Sequence, residues 1–309
     1  MPARHESDRR AFIRTSALAA GALGLPRVSI ARPGGSPNGK IAVAVVGLGG
    51  QGAYAVEQAA SERLVAFCDV DDQRACKAYA AHPDVPRFKD FRVMLDKMHK
   101  QIDAVTISTP DHNHFPIAMA AMELGKHVFV EKPLAHNIWQ ARTLRKAARH
   151  YGVVTQMGNQ GHTFEGMRRI KEWVEAGVIG DVSEVVTWTD RPNDPWFIPP
   201  RRFPPPVMCP PADLDWDLWQ GPVAAREYSR AYVPVTWRGW WAYGCGSLGD
   251  IGCHTFDAPF WALDLGAPAR VQAFREPPPG DGFVPMNSVV TFQFPARGAK
   301  PPVTLTWYE

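Results

Sequence analysis

A chain of 309 residues with 45% hydrophobic and 21% charged side chains has the balance of a globular protein, long enough for about two domains and a sizeable core. The net charge of +3 is small and no basic stripe interleaved with aromatics occurs, which argues against nucleic acid as a partner. Five cysteines without a C-x-x-C pair offer no four-ligand zinc spacing, so no metal is expected.

Residues 1–38 read as a targeting segment and linker. Asp8-Arg9-Arg10-Ala11-Phe12-Ile13-Arg14 resembles a twin-arginine export motif, and the apolar stretch Thr15 to Pro26 is too short to span a bilayer. Arg32 to Asn38 is a Gly/Pro linker. The expected location is periplasmic or otherwise exported, with no membrane partner; the competing reading is a plain basic tail.

Residues 39–160 alternate short apolar strands with helices, which predicts a parallel sheet covered on both faces. Strands are expected near Ile41–Val46, Leu64–Asp69, Ala104–Ser108, His127–Val130 and Val153–Met157, and helices near Gln51–Ala60, Asp72–Ala81, Phe91–Lys97, Pro116–Leu124 and Ile138–Tyr151. The first strand runs into G-L-G-G-Q-G, where Gly47, Gly49 and Gly52 hold the spacing of a dinucleotide-binding turn. Gly47 permits the sharp turn, Gly49 the approach of backbone to a pyrophosphate, and Gly52 the close packing of helix on strand. Asp69 ends the next strand, where a carboxylate accepts hydrogen bonds from an adenosine ribose. A 2′-phosphate about 4 Å away would be repelled by roughly 4 kcal/mol at an effective dielectric of about 20, so NAD is expected over NADP.

Residues 161–309 have a different texture. A helix near Phe164–Ala176 and a strand Val182–Thr189 precede Arg191–Pro211, where nine prolines in 21 residues force an extended loop. Further strands are expected near Arg270–Phe274, Ser288–Phe294 and Val303–Trp307. Ten of the 11 tryptophans follow residue 170. They suit either a platform for sugar rings, with Trp188 and Trp240 as candidate substrate contacts, or the filling of a core, the reading preferred for most of them. Cys245 and Cys253 flank a glycine-rich loop and are the pair placed to join if the compartment is oxidising.

Three stretches carry the chemistry. Ser108-Thr109-Pro110-Asp111-His112-Asn113-His114 and Val130-Glu131-Lys132-Pro133 each follow a strand, at the carboxyl edge where doubly wound sheets bind ligands. In Gly249-Asp250-Ile251-Gly252-Cys253-His254-Thr255-Phe256-Asp257, a helix would put Asp250 and His254 on one face, with Asp257 three further on. A histidine can take the proton of a carbinol hydroxyl, a carboxylate can orient it, and a lysine can stabilise the alkoxide as hydride departs.

In this order and spacing the motifs resemble the glucose–fructose oxidoreductase / inositol dehydrogenase family, Gfo/Idh/MocA, from Lys40 to the chain end. They are most similar to exported, tryptophan-rich members that continue M-G-N-Q-G-H, here Met157 to His162. The resemblance implies an α/β chain: a Rossmann doubly wound parallel sheet, then an α+β domain with a large, mostly antiparallel open sheet through which the chain could form homo-oligomers. It implies Lys132 as the catalytic lysine, a cis peptide before Pro133, Glu131 against the nicotinamide ribose, and Thr109, Pro110 and His114 lining the cofactor cleft. Asp250 and His254 would hold and deprotonate the substrate hydroxyl, with Asn159 and Asp257 as further substrate candidates.

The implied activity is NAD-dependent oxidation of a ring hydroxyl in a sugar or polyol. Two rivals stay open: an NAD-dependent glycoside hydrolase that borrows and returns the hydride, and a silent nucleotide- or sugar-binding protein. Because exported relatives of this type usually run longer, the last strand ending at Glu309 is expected to leave the second domain incomplete.

Overall fold

The computed structural model describes residues 39–309. The segment read as an export signal lies outside the described residues.

Six parallel strands, β1 (Ala42–Val46), β2 (Arg63–Cys68), β3 (Arg87–Phe88), β4 (Ala104–Ile107), β5 (His127–Val130) and β6 (Thr155–Met157), form a sheet in the order β3-β2-β1-β4-β5-β6. This is the Rossmann order, and its switch point lies between β1 and β4. Every residue of β1 is buried, as expected of a central strand covered on both faces, and its apolar run A-V-A-V-V is what permits that position. The helices α1 (Gln51–Ala59), α2 (Asp72–Ala81), α3 (Phe91–Met98), α4 (Asp111–Glu123) and α5 (Ile138–Tyr151) cover the sheet. Side chains start three of them: Asp71 accepts from Arg74 N, Asp90 from Arg92 N and Asn137 from Gln140 N. Gly152, in the left-handed region, ends α5.

Two elements differ from expectation. The two-residue β3 is too short to leave a pattern in sequence. Helix α4 begins five residues before the expected Pro116 and carries that proline inside it. Its early start is fixed by tertiary bonds: the His112 N–H donates to Tyr243 O, and Asp111, His112, Asn113 and His114 are all buried.

The second part contains α6 (Glu165–Glu175), β7 (Glu184–Trp188), α7 (Trp216–Gln220), α8 (Gly246–Thr255), α9 (Asp257–Leu263), β8 (Arg270–Arg275), β9 (Ser288–Phe294) and β10 (Val303–Tyr308). Its sheet has the order β7-β10-β9-β8, with β10 parallel to β7 and the other two pairings antiparallel. On one face Val303, Leu305 and Trp307 are buried, with Phe256 edge-on to Trp307. On the other, Trp188, Tyr308, Val289 and Phe274 lie side by side in one row across all four strands. Trp188 is 68% exposed and Phe274 is 74% exposed.

Most tryptophans fill a core. Trp219, Trp237, Trp240, Tyr232, Tyr243 and Phe283 form one buried cluster, and Trp216 stacks on Trp219 with centroids 4.9 Å apart. Trp240 is therefore not a substrate contact. It is 1% exposed, and its indole N–H donates to Ala231 O. Trp188 is exposed on the second sheet and belongs neither to that cluster nor to the cleft along the carboxyl edge of the parallel sheet. Cys245 and Cys253 are free thiols. They stand eight residues apart along α8, about 12 Å at 1.5 Å per residue, too far for a bond that needs Cα atoms within about 7 Å.

Candidate active site

A cleft of about 580 Å³ runs along the carboxyl edge of the parallel sheet, from the glycine turn to α8. At one end the chain leaves β1 through Gly47, at φ +82°, where a Cβ would lie 2.6 Å from Ser108 O. A Cβ at Gly52 would lie 2.0 Å from Gly47 O, so only glycine lets α1 pack this close. No side chain caps α1. Its start at Gly50 and Gln51 lines the cleft instead, presenting the positive end of the helix. Gly49 lines the cleft, and a Cβ there would also meet the Arg74 side chain at 2.9 Å. Arg74 thus lies over the turn as a cation that no spacing rule picks out.

Asp69 lines the cleft and also braces the turn, its two oxygens accepting from Leu48 N at 2.7 Å and Asp71 N at 2.9 Å. Burial raises its pKa against those two bonds. Thr109 and Pro110 line the cleft. His114 does not: it is 1% exposed, and its ring nitrogens face Pro133 O at 2.7 Å and Thr109 O at 2.8 Å. It braces the two cleft-lining turns from beneath, and burial holds its pKa down. The Lys132–Pro133 peptide is cis. Glu131 lines the cleft, its Oε1 accepting from Gln51 at 3.2 Å and Gln160 at 2.7 Å.

At the other end the two halves of the chain meet. Lys132, just past β5, donates to Asp250 Oδ1 on α8 at 2.6 Å and to the Asp250 carbonyl at 3.1 Å. Burial pushes the Asp250 carboxyl up, but the Lys132 and Arg238 charges outweigh it and hold the pKa below its ordinary value. Asp250 Oδ2 is buried without a hydrogen-bond partner among the described residues. Beside this pair lies Asp111, 3% exposed, accepting from Cys245 N at 3.2 Å. Burial and the Asp250 charge push its pKa up to about 7.

His254, one turn after Asp250, is exposed and does not line the cleft. Burial of part of its ring and the Lys132 charge lower its pKa, so the imidazole is neutral near pH 7. The continuous helical face expected through Asp257 is interrupted, because the chain turns at Phe256 and Asp257 opens α9. Asp257 accepts from His162 Nδ1 at 2.9 Å, and Asn159 donates to Cys253 O at 2.7 Å. Both hold α8 and α9 against the 160–163 turn, and neither lines the cleft. Trp196 and Trp237, two of the tryptophans that could have formed a sugar platform, do line it, as do Arg238 and Asp111, to which the sequence assigned no role. Asp111 stood inside a motif already singled out; the others come from loops that only the fold brings to the site.

Residues 41–159 match the family model described as "Oxidoreductase family, NAD-binding Rossmann fold", and residues 166–277 match the same family's C-terminal alpha/beta domain. The chain belongs to the Gfo/Idh/MocA oxidoreductase family. It is 31% identical over 173 residues to levoglucosan dehydrogenase of Pseudarthrobacter phenanthrenivorans, covering 54% of this chain and 34% of that one. It is 27% identical over 198 residues to a glycosyl hydrolase family 109 protein of Solibacter usitatus, covering 58% and 44% respectively. The matches thus span less than half the length of these relatives. Among solved structures, the fold is similar to GenD2 from gentamicin A biosynthesis in complex with NAD, with a TM-score of 0.62 at 22% identity over 90% of this chain and 68% of that one. It is also similar to aldose-aldose oxidoreductase of Caulobacter crescentus, with a TM-score of 0.59 at 21% identity over 86% and 70%.

The first part of this Gfo/Idh/MocA chain is an NAD-binding Rossmann domain, and its residues fit the dinucleotide. The uncapped helix start suits the pyrophosphate, the Asp69 carboxylate suits an adenosine ribose, and the cleft runs from there to Lys132. Among the described residues no group of three metal-ligating side chains stands together, and no helix is long and apolar enough to cross a membrane.

Proposed function

We propose that the protein oxidises a ring hydroxyl of a sugar or polyol, with NAD as hydride acceptor, at the Lys132–Asp250 end of the cleft. The observation that carries this reading is the 2.6 Å pair between a lysine on the nucleotide-binding sheet and an aspartate on α8, inside the cleft that begins at the glycine turn. Bound NAD supplies a ring carbon able to take a hydride. The protein does the rest. The Lys132 ammonium donates to the oxygen of the reacting hydroxyl and stabilises negative charge there as the C–H bond breaks. The unpartnered Asp250 Oδ2 accepts from a neighbouring hydroxyl and so orients the ring. The hydroxyl proton goes to the neutral His254 imidazole, which stands outside the cleft lining one turn beyond Asp250 and must swing inward to take it. Glu131, held by Gln51 and Gln160, offers a fixed acceptor on the cofactor side.

A second reading is favoured by the 198-residue match to a glycosyl hydrolase family 109 protein. There the same residues would oxidise a sugar transiently, eliminate its glycosidic substituent and return the hydride. Incubation of NAD-loaded protein with free sugars and with aryl glycosides separates the two. Accumulation of NADH with a free sugar supports the oxidoreductase; aglycone release without net NADH supports the hydrolase. If neither is seen across a broad panel, the silent-binder reading replaces both.

Two further properties belong to the proposal. The apolar row Trp188–Tyr308–Val289–Phe274 suits a second copy of the chain, giving a homo-oligomer through the sheet face. The Arg9-Arg10 motif suits export by the twin-arginine route, testable by cell fractionation of the wild type against Arg9→Lys with Arg10→Lys.

A further inference from the structure

Arg238 is held as a rigid cation at the sugar end of the cleft. Its guanidinium carbon lies 4.2 Å from the Trp237 ring centroid and 4.6 Å from that of Trp196. Trp196 also carries Arg191, at 4.7 Å. These indoles are seats for cations, which is a different use from the sugar platform that the sequence suggested. The hydrogen bonds of Arg238 leave capacity unused. Nη1 donates to Val235 O at 3.2 Å, and Nε reaches Asp250 Oδ1 only at a long 3.4 Å. Its Nη2 makes no hydrogen bond among the described residues.

The charges around Asp250 do not balance. Lys132 and Arg238 both face this one carboxylate, whereas Arg191 is answered by Asp194 at 2.6 Å. One positive charge is left over in a site where Lys132 and Arg238 are each less than a fifth exposed. The other acid here, Asp111, is 3% exposed and bonded to Cys245 N rather than to either cation; with its pKa pushed up to about 7 it answers the surplus only in part at neutral pH.

We infer that the sugar handled at this site carries a single carboxylate, and that Arg238 is the specificity-determining residue that binds it beside the Lys132–Asp250 pair. The inference rests on reading the cleft as the site of an NAD-dependent sugar oxidoreductase. A planar guanidinium with free N–H groups matches a carboxylate in two parallel hydrogen bonds, and the indoles have already immobilised it, so little entropy is lost on binding. A neutral sugar leaves the surplus cation unanswered. A phosphate, near two negative charges at neutral pH, overfills it.

The test is calorimetric titration of NAD-loaded protein with paired ligands: glucuronate, glucose and glucose 6-phosphate, then the galacto and manno sets. In the set that binds best, the uronate is expected to bind at least about tenfold tighter than the hexose and the phosphate, a modest share of what a site built for a polar group can discriminate. Arg238→Met should reduce that advantage to within about threefold; Arg238→Lys, which keeps charge but loses the bidentate fork, should give an intermediate ratio and guards against a misfolded methionine variant. Equal or tighter binding of hexose or phosphate, no binding of any uronate, or a preference that survives Arg238→Met each overturns the inference. NADH formed from a neutral sugar without uronate preference would leave the oxidoreductase reading standing while this inference falls. Tight uronate binding through Arg238 without any NADH would do the reverse.

Discussion

Asp111→Asn tests the electrostatics of the cleft without touching the groups assigned to chemistry. Asp111 has a folded-state pKa of about 7 against an ordinary value of 3.8, because burial and the Asp250 charge outweigh Arg238, the Cys245 thiol and Lys132. The folded value lies above the unfolded one, so the folded protein keeps a proton that the unfolded chain releases. Its contribution to stability is complete below about pH 4 and is lost as pH rises through about 7. Between about pH 5.5 and about pH 8 this linkage removes about 2 kcal/mol. Asparagine keeps the shape and still accepts from Cys245 N, but does not titrate. Urea unfolding of both proteins at the two pH values is the assay. The wild type should lose about 2 kcal/mol more than the variant over that interval, and Asp111→Asn should gain relative stability at the higher pH. Equal losses in the two proteins would show that Asp111 is ionised throughout, and the account of its burial would fail.

Lys132→Met should lower kcat/KM by about 10²–10³-fold, the usual cost of removing a group aimed at developing negative charge, with NAD binding by calorimetry retained. Asp69→Asn removes the charge that repels a 2′-phosphate and should shift the NADP/NAD affinity ratio by about tenfold or more toward NADP; an unchanged ratio would remove Asp69 from the discrimination. Trp240→Ala should cost about 3–5 kcal/mol in unfolding free energy, as for a buried core aromatic. Trp188→Glu should shift the sedimentation of the protein toward a single copy if the exposed sheet face joins two chains.

Much of the first part was legible because its constraints are local. The apolar run of β1, the glycines after it and Asp69 on the next strand are required by one strand–turn–helix–strand unit, and the fold places them as that unit demands. Lys132 and Asp250 were each legible as members of a motif. Their 2.6 Å contact spans 118 residues of sequence and depends on how α8 meets the sheet edge. The errors have the same origin. Trp240 shows the same residue type whether it lines a cleft or fills a core, and only packing decides. His114 follows the cleft loop in sequence, yet the first turn of α4 carries it inward, between two carbonyls. Arg238 shows no motif because its meaning comes from the partners around it: two indoles and one carboxylate from distant loops.

The most direct test of hydride transfer at the Lys132–Asp250 end of the cleft is isotopic. NAD-loaded protein is mixed with ring-deuterated sugars and uronates, and the nucleotide is recovered and weighed by mass spectrometry. The account requires a reduced nucleotide carrying one deuterium from wild-type protein and its loss in Lys132→Met. Undeuterated nucleotide across the panel, or equal labelling by the Lys132→Met variant, would contradict it.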